Sequence, residues 1–360
     1  MKKLFIYSLL VFIFSCSNDD DVVVNSENEN VTLSNFSIIS EDNEAFYEYQ
    51  FEEASQLGIE NNLTTQEGIN RQAFLIHRNE SVFGFYNQGN ALIKDFSTEQ
   101  LRFVDDFGGQ AGEERIAARN DTETLAILYN IANTNEIYVR VIDVLTTTQF
   151  DIALGTLSTV LQLFVKEDTV YVVHNEQNQS TVFTVNKTTQ SLGEEILLDG
   201  PTSGLVFTDT SSILLFDFSG NYSEYTIDGL EFIRQGNSNF IPDNAVTAKY
   251  RNGVVYSQFP YPQPNFFSVG PAAYNLNAGT EVTIDVAAIF TEYTTLDANT
   301  ESLRPVHFDY DVSNDLWIVA FEAETNTGAS RYGYFVINEA EEILSETALP
   351  RLPWTVIVHN

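Results

Sequence analysis

The sequence predicts an all-β protein, a seven-bladed β-propeller closed by a C-terminal strand that completes the N-terminal blade. Three observations lead there. Past Asn30, short runs rich in Val, Ile, Phe, Tyr and Thr alternate with Asn, Asp and Gly turns, the signature of strands rather than helices. One two-strand unit recurs along the chain at intervals of 40 to 60 residues, and a recurring period of that size marks a repeat architecture. Finally, the chain opens with a blade that lacks its first strand and ends with a strand that lacks a blade.

The N-terminus comes first. Lys2 and Lys3 precede "LFIYSLLVFIF", which together form the basic and apolar regions of a secretory signal. The apolar run is too short for a membrane span, which needs roughly 20 residues. Cys16 follows two residues later and is the single cysteine of the 360 residues. A lone cysteine in an exported chain has no internal disulfide partner, so it is a free thiol or a modified one. The stretch "IFSC" resembles the lipobox of bacterial lipoproteins. Ile13 and Ser15 match its apolar and small positions, whereas Phe14 departs from the commoner small residue. The resemblance implies cleavage before Cys16 and acylation of that residue. Each buried methylene of an acyl chain contributes about 0.8 kcal/mol, and two or more chains anchor stably.

Behind Cys16, "SNDDDVVVNSENEN" carries acidic residues and no basic one. Such a stretch cannot bury enough apolar surface to fold and is expected to be a solvated tether. Its acidic start resembles the surface-export signal of Bacteroidetes-type lipoproteins. The expected organisation is therefore a lipoprotein signal peptide over residues 1–15, an acidic flexible tether over 16–30, and the propeller over 31–360. The expected location is the outer membrane, lipid-anchored through Cys16 and exposed at the cell surface.

The repeated unit is two apolar strands joined by a tight polar turn. It appears as "AFLIHRNESVFGF", "RIAARNDTETLAIL", "LFVKEDTVYVV", "GLVFTDTSSILLF", "TAKYRNGVVYSQF" and "HFDYDVSNDLWIVAF". A third strand follows each, and more polar fourth strands read as "QLRFVDDF", "QFDIALG", "EEILLDG" and "EILSETALP". Four antiparallel strands per unit describe a propeller blade. "SILLFDF" and "LWIVAF" are apolar on both faces, as a strand must be when neighbouring blades cover both sides. Before the first unit, "NFSIIS", "AFYEYQF" and "QLGIENNLT" resemble strands two to four of a blade. Third strands then begin near residues 45, 91, 136, 181, 221, 272 and 332. The missing first strand is "WTVIVH", residues 354–359, expected to pair with residues 36–39. Closing the ring in this way leaves few exposed edges. The alternative is six blades with a loose N-terminal extension.

Two intervals are long. One holds "FPYPQPNFF", where three prolines favour a stiff, extended loop carrying the aromatics Phe259, Tyr261, Phe266 and Phe267. Such a loop either contacts a partner or sugar or folds its rings onto its own blade. The other, residues 287–304, leads into the last full blade.

Composition excludes some function classes. There are 51 acidic and 17 basic residues, for a net charge of −34, and two of the cations, Lys2 and Lys3, lie in the segment that processing would remove. Nucleic acid would repel such a body, since binding it takes clustered Lys and Arg. "DYDVSND" begins like a calcium loop, but Asn314 stands where the turn glycine belongs and Ala320 where the bidentate glutamate would be, so it reads as a turn. His77, His174, His307 and His359 fall in four different blades without metal-ligand spacing. No nucleophile elbow, zinc motif or phosphate loop occurs, and no cofactor or metal is expected.

One constellation remains. Arg71, Arg115, Arg304 and Arg351 each stand just before an expected inner strand, and the seven-blade closure puts them in four consecutive blades. They are candidates for an anion site at the propeller mouth. The competing reading pairs them with neighbouring carboxylates such as Glu114 and Glu301. The functional expectation is a surface binding or scaffold protein engaging a glycan, peptide or partner protein at the mouth. The alternative is a carbohydrate- or lactone-acting hydrolase or lyase with carboxylates at the same place.

Overall fold

The computed structural model describes residues 31–52, 58–70, 75–87, 89–105, 111–134, 136–157, 161–176, 178–208, 211–238, 248–260 and 269–359. Cys16 and the segments expected to be a signal peptide (residues 1–15) and a tether (residues 16–30) lie outside the described residues.

The chain enters through β1 (Phe36–Glu41), β2 (Phe46–Phe51) and β3 (Ile59–Asn62), followed by the short helix α1 (Leu63–Glu67). Blade 2 is β4 (Leu75–Asn79), β5 (Val82–Tyr86), β6 (Asn90–Asp95) and β7 (Gln100–Asp105). Blade 3 is β8 (Glu113–Asn120), β9 (Thr124–Ile131), β10 (Glu136–Asp143) and β11 (Gln149–Thr156). Blade 4 is β12 (Leu161–Lys166), β13 (Thr169–Asn175), β14 (Gln179–Asn186) and β15 (Ser191–Asp199). Blade 5 is β16 (Thr202–Phe207), β17 (Ser212–Asp217), β18 (Asn221–Thr226) and β19 (Phe232–Asn237). Blade 6 is β20 (Lys249–Arg251), β21 (Val254–Pro260), β22 (Val269–Asn275) and β23 (Thr280–Thr283), and the helix α2 (Val286–Leu296) follows it. Blade 7 is β24 (Thr300–Asp311), β25 (Leu316–Thr325), β26 (Ser330–Asn338) and β27 (Ile343–Leu349), and β28 (Leu352–Val358) ends the chain.

Each of the seven sheets has four strands in consecutive order, except that β28 stands in front of β1, β2 and β3. The protein is thus a seven-bladed propeller, and β28 supplies the first strand of blade 1. The closing ladder runs Phe36↔Val358 to Glu41↔Leu352, with one irregularity between Ile39 and Ser40. The strand expected over 354–359 and its expected partner at 36–39 agree with this register.

First strands of neighbouring blades touch one another, β24 against β28, β4 against β8, β8 against β12 and β16 against β20, so they surround the axis. The strands behind them carry the core. In β25, Leu316 to Phe321 are buried without a break, because blade 6 covers one face and blade 1 the other. Trp317, Val319 and Phe321 join a cluster with Tyr256 and Ala273. Leu316, Ile318 and Ala320 join another with Phe36, Phe51, Val356 and Val358. Within the second cluster the Phe36 and Phe51 rings stack at 4.5 Å and 6°. These inter-blade faces bury apolar side chains, which stabilises by about 25 cal/mol per Å² removed from water.

Two stretches, one read as a strand and one as a long connection, are partly helical. Part of "QLGIENNLT" is the helix α1, started by the Asn62 side chain accepting from Thr65 N–H and ended by Gly68 at φ 74°. These are the expected cap residues for such a turn. The connection expected over 287–304 holds all of α2 but its first residue, and its last five residues already belong to β24; the Asp285 cap of α2 accepts from Ala288 N–H. Val286, Ile289 and Phe290 are its buried face, and it packs against β24. The "DYDVSND" segment is the β24–β25 turn. There the Asp311 carboxylate accepts from Ser313 N–H and Asn314 Nδ2 and from Ser34.

Candidate functional site

Antiparallel blades give the propeller two ends. First strands begin at one end, the mouth, where the turns between second and third strands also lie. The turns between first and second strands, and between third and fourth, lie at the opposite end.

At the mouth, Arg351 stands immediately before β28. Its Nη1 is 2.8 Å from Glu60 Oε2 and its Nε 3.3 Å from Asp42 Oδ2. Its guanidinium carbon sits 3.6 Å over the Tyr47 ring, a cation–π geometry, and Nη1 also donates to the Tyr49 hydroxyl. Burial pushes the Tyr49 phenol up to about 12, against the pull of Arg351. Arg304 lies inside β24, opposite Glu322 in register, and its Nε donates to Glu322 Oε2 at 2.8 Å. Arg115 is half-buried in β8, in register with Tyr129 of β9. Arg71 lies outside the described residues. Arg304, Arg351 and Arg115 thus belong to blades 7, 1 and 3. Arg304 and Arg351 each meet carboxylates of their own blade, and the partner of Arg304 is across the strand pair rather than the adjacent Glu301. In the proline-rich loop, Phe259 belongs to β21 opposite Gly270, and Tyr261, Phe266 and Phe267 lie outside the described residues.

Behind the mouth, the axis holds a charged network that composition and spacing did not single out. A first strand exposes one backbone edge to the axis, and those N–H and C=O groups must find partners. Asp309 of β24 accepts from Val358 N–H of β28 at 2.9 Å. The same carboxylate pairs with Arg78 of β4 and Lys249 of β20, each at 2.9 Å. Lys249 Nζ also donates to the Val358 carbonyl at 3.4 Å, and Arg78 Nη1 to Thr355 Oγ1 at 3.1 Å. His307 Nδ1 accepts from Val356 N–H at 3.3 Å. Asn79 Nδ2 donates to the carbonyls of Asn120 and Val165, tying blades 3 and 4 to blade 2.

These groups are buried, and their protonation follows from that. Burial alone would raise the Asp309 carboxyl, but Lys249 and Arg78 beside it hold it down at about 2. Burial, reinforced by the Arg78 charge, lowers the His307 imidazole to about 3. Burial also lowers Lys249, with Asp309 opposing. The network is thus two cations on one anion, with His307 neutral at ordinary pH.

Next to it, a cavity of about 30 Å³ lies among His77, Asn79, Leu163, Val165, Leu205 and Phe207. A second, of about 20 Å³, lies beside Arg78, Lys249, Ser257 and Asp309. Each has room for about one water. The network knits blades 1, 2, 6 and 7 together at this depth. His307 belongs to it, whereas His77, His174 and His359 remain separate in blades 2, 4 and 1. Among the described residues, no three His, Cys, Asp or Glu side chains are grouped to hold a metal ion.

No protein-family model matches the chain, and no curated protein does. Solved structures are similar to it at low identity. A chain of the mitotic checkpoint complex crystal structure has a TM-score of 0.43 at 8% identity, covering 78% of this chain and 76% of that one. Dihydro-heme d1 dehydrogenase NirN, in complex with DHE, has a TM-score of 0.45 at 8% identity, covering 91% and 75%. BamB from Moraxella catarrhalis has a TM-score of 0.40 at 10% identity, covering 76% and 87%. Likenesses of this order carry no functional content.

Proposed function

We propose that the protein is a lipid-anchored binding or scaffold protein of the outer membrane, engaging a glycan, peptide or partner protein at the propeller mouth. The observation that supports this is where the chain joins the propeller. Val31 and Leu33 pack on the cluster between blades 7 and 1. Ser34 donates through N–H and Oγ to Asp311, at 2.7 and 2.9 Å. Asp311 ends β24, so this junction lies at the end away from the mouth. A lipid on Cys16 would thus attach at that end and leave the mouth unobstructed. The residues between Cys16 and Val31 reach at most about 50 Å when extended.

On this reading residues 1–15 are the signal peptide, 16–30 the tether and 31–360 the binding domain. The contact surface is the rim carrying Arg71, Arg115, Arg304 and Arg351, with the loop of Phe259, Tyr261, Phe266 and Phe267. Guanidinium groups present planar donor forks that match carboxylate and sulfate. The wider negative surface is screened beyond about 8 Å at physiological salt. The test is a panel of uronate- and sulfate-bearing oligosaccharides and acidic peptides, offered to the chain from Ser17 onward and to its Arg115→Ala and Arg304→Ala variants. Acidic ligands should bind and lose about 1.5 to 3 kcal/mol per arginine removed. Acidic ligands that bind equally well to all three proteins, or to none, would contradict the arginine rim.

A further inference from the structure

At the end away from the mouth, the wall between blades 5 and 6 opens into a shallow, solvent-open groove. Its shape begins with a bulge. In the β18–β19 ladder Tyr225 pairs with Phe232 and Glu224 with Arg234, which leaves Ile233 without an opposite residue. Successive side chains of a regular strand point to opposite faces. An inserted residue breaks that alternation and re-aims its neighbours, and here both Ile233 and Arg234 line the groove.

The guanidinium is fixed on two sides. Arg234 Nε donates to Glu224 Oε2 at 2.6 Å, and Nη1 donates to Asn277 Oδ1 at 3.3 Å. Glu224 is itself buried and accepts from Ser212 Oγ at 2.5 Å. Arg234 Nη2 meets no acceptor among the described residues, and the side chain is 37% exposed. The opposite wall is the β20–β21 turn, where Asn252 and Gly253 both have positive φ, 53° and 86°. A Cβ on Gly253 would lie 2.5 Å from Asn277 Nδ2, so the glycine leaves room for that amide. Ile233, 48% exposed, supplies an apolar flank.

We propose that this groove is a binding subsite for a neutral, hydroxyl-rich ligand, an oligosaccharide. Glu224 holds Nε and Asn277 holds Nη1, which leaves Nη2 alone rather than the two-nitrogen fork that grips a carboxylate or sulfate. Fixed donors at Arg234 Nη2 and Asn277 Nδ2 suit sugar hydroxyl oxygens. The Ile233 side chain suits the C–H face of a pyranose ring. The site is separate from the mouth, and its ligand differs in charge from the one the arginine rim would take.

The experiment offers neutral gluco-, xylo- and manno-hexasaccharides to the chain from Ser17 onward, with binding read by saturation-transfer NMR in the millimolar range. At least one should bind. Asn277→Ala and Ile233→Asp should each weaken it at least tenfold with unchanged thermal melts, and Arg115→Ala and Arg304→Ala should leave it unaffected. Both substituted positions are exposed, and an altered melt in one variant leaves the other to decide. Absence of binding by all three sugars, or binding that survives both groove substitutions, overturns the proposal. Loss of binding on the arginine substitutions alone moves the sugar to the mouth and overturns it equally.

Discussion

Asp309, on the innermost strand of the last blade, accepts a 2.9 Å hydrogen bond from the backbone N–H of Val358, on the strand that closes the ring. The two residues are 49 apart in sequence and belong to different blades. Through the same carboxylate, Arg78 of blade 2 and Lys249 of blade 6 are drawn to the junction of blades 7 and 1. The ring is therefore closed twice, by the β1–β28 ladder at the blade and by a buried ionic clasp at the axis.

Removing the anion of that clasp should be costly. Asp309→Ala leaves two buried cations facing each other and orphans Val358 N–H, and breaking a buried pair in this way costs about 3 to 5 kcal/mol. Urea unfolding should show that loss. A variant within about 1 kcal/mol of wild type would mean that solvent already reaches the axis.

The clasp also sets an acid limit. Asp309 titrates at about 2 in the folded chain, below its usual 3.8, so its contribution is present above about pH 4 and is lost as pH falls toward 2. His307 is held neutral down to about 3, whereas its usual value is 6.5. Unfolded chains therefore take up a proton that the native state refuses, and stability falls as pH drops from 6.5 toward 3. His307→Gln should flatten the upper part of this decline, between about pH 6.5 and 5, in melts taken across that range. An unchanged slope would contradict the burial of a neutral imidazole.

Glu48 should behave in the opposite sense. It is fully buried in β2, where Oε1 accepts from Ser37 Oγ at 2.7 Å and Oε2 has no partner among the described residues. Burial raises its carboxyl to about 7, with Glu99 adding to the rise and Ser37, Lys94 and Gln50 opposing it. Lys94 is already engaged by Glu67 and Glu99, each at 2.7 Å. The native state thus keeps a proton that the unfolded chain releases above about 4.5, and stability falls as pH rises through 4.5 to 7. Glu48→Gln mimics the protonated form. It should stabilise by roughly 2 to 3 kcal/mol at pH 8 and by little at pH 5. Equal effects at both pH values would refute the shift.

Closure by the last strand has its own test. Ending the chain after Pro353 removes Thr355, Val356, Ile357 and Val358, all buried, and exposes the edge of β1. An unpaired central edge is a template for aggregation. Insolubility or a large fall in melting temperature is expected, and a truncated chain melting within a few degrees of the full one would contradict the closure.

The blades were legible because their signal is local. A hairpin such as "TAKYRNGVVYSQF" carries its apolar strands and its Asn252–Gly253 turn within 13 residues, and both turn residues do adopt the positive φ that such a turn requires. α2 was less visible, since its β-branched residues favour strands. Its apolar positions, Val286, Ile289, Phe290 and Tyr293, nevertheless follow helical spacing. The axial clasp is a different case. Arg78, Lys249 and Asp309 each interrupt an apolar first strand, which is a signal in itself. Their ionic partners, however, lie 60 to 231 positions away, and only the ring brings them together. The positions of the mouth arginines could be read from the repeat, but the contact of Arg351 with Asp42, 309 residues distant, depends on closure.

The most direct measurement uses the single cysteine. If Cys16 is acylated, its sulfur is a thioether and the wild-type protein has no free thiol. Phe218 lies in the β17–β18 turn at the mouth and is 60% exposed, so Phe218→Cys adds one reactive group there. Intact cells are treated with a membrane-impermeant maleimide, alongside wild type and the Cys16→Ala/Phe218→Cys double variant. The account predicts no label on wild type, strong label on membrane-bound Phe218→Cys without lysis, and loss of the double variant from the membrane fraction. A labelled wild-type thiol, membrane retention without Cys16, or labelling of Phe218→Cys only after lysis would contradict a lipid-anchored propeller exposed at the cell surface.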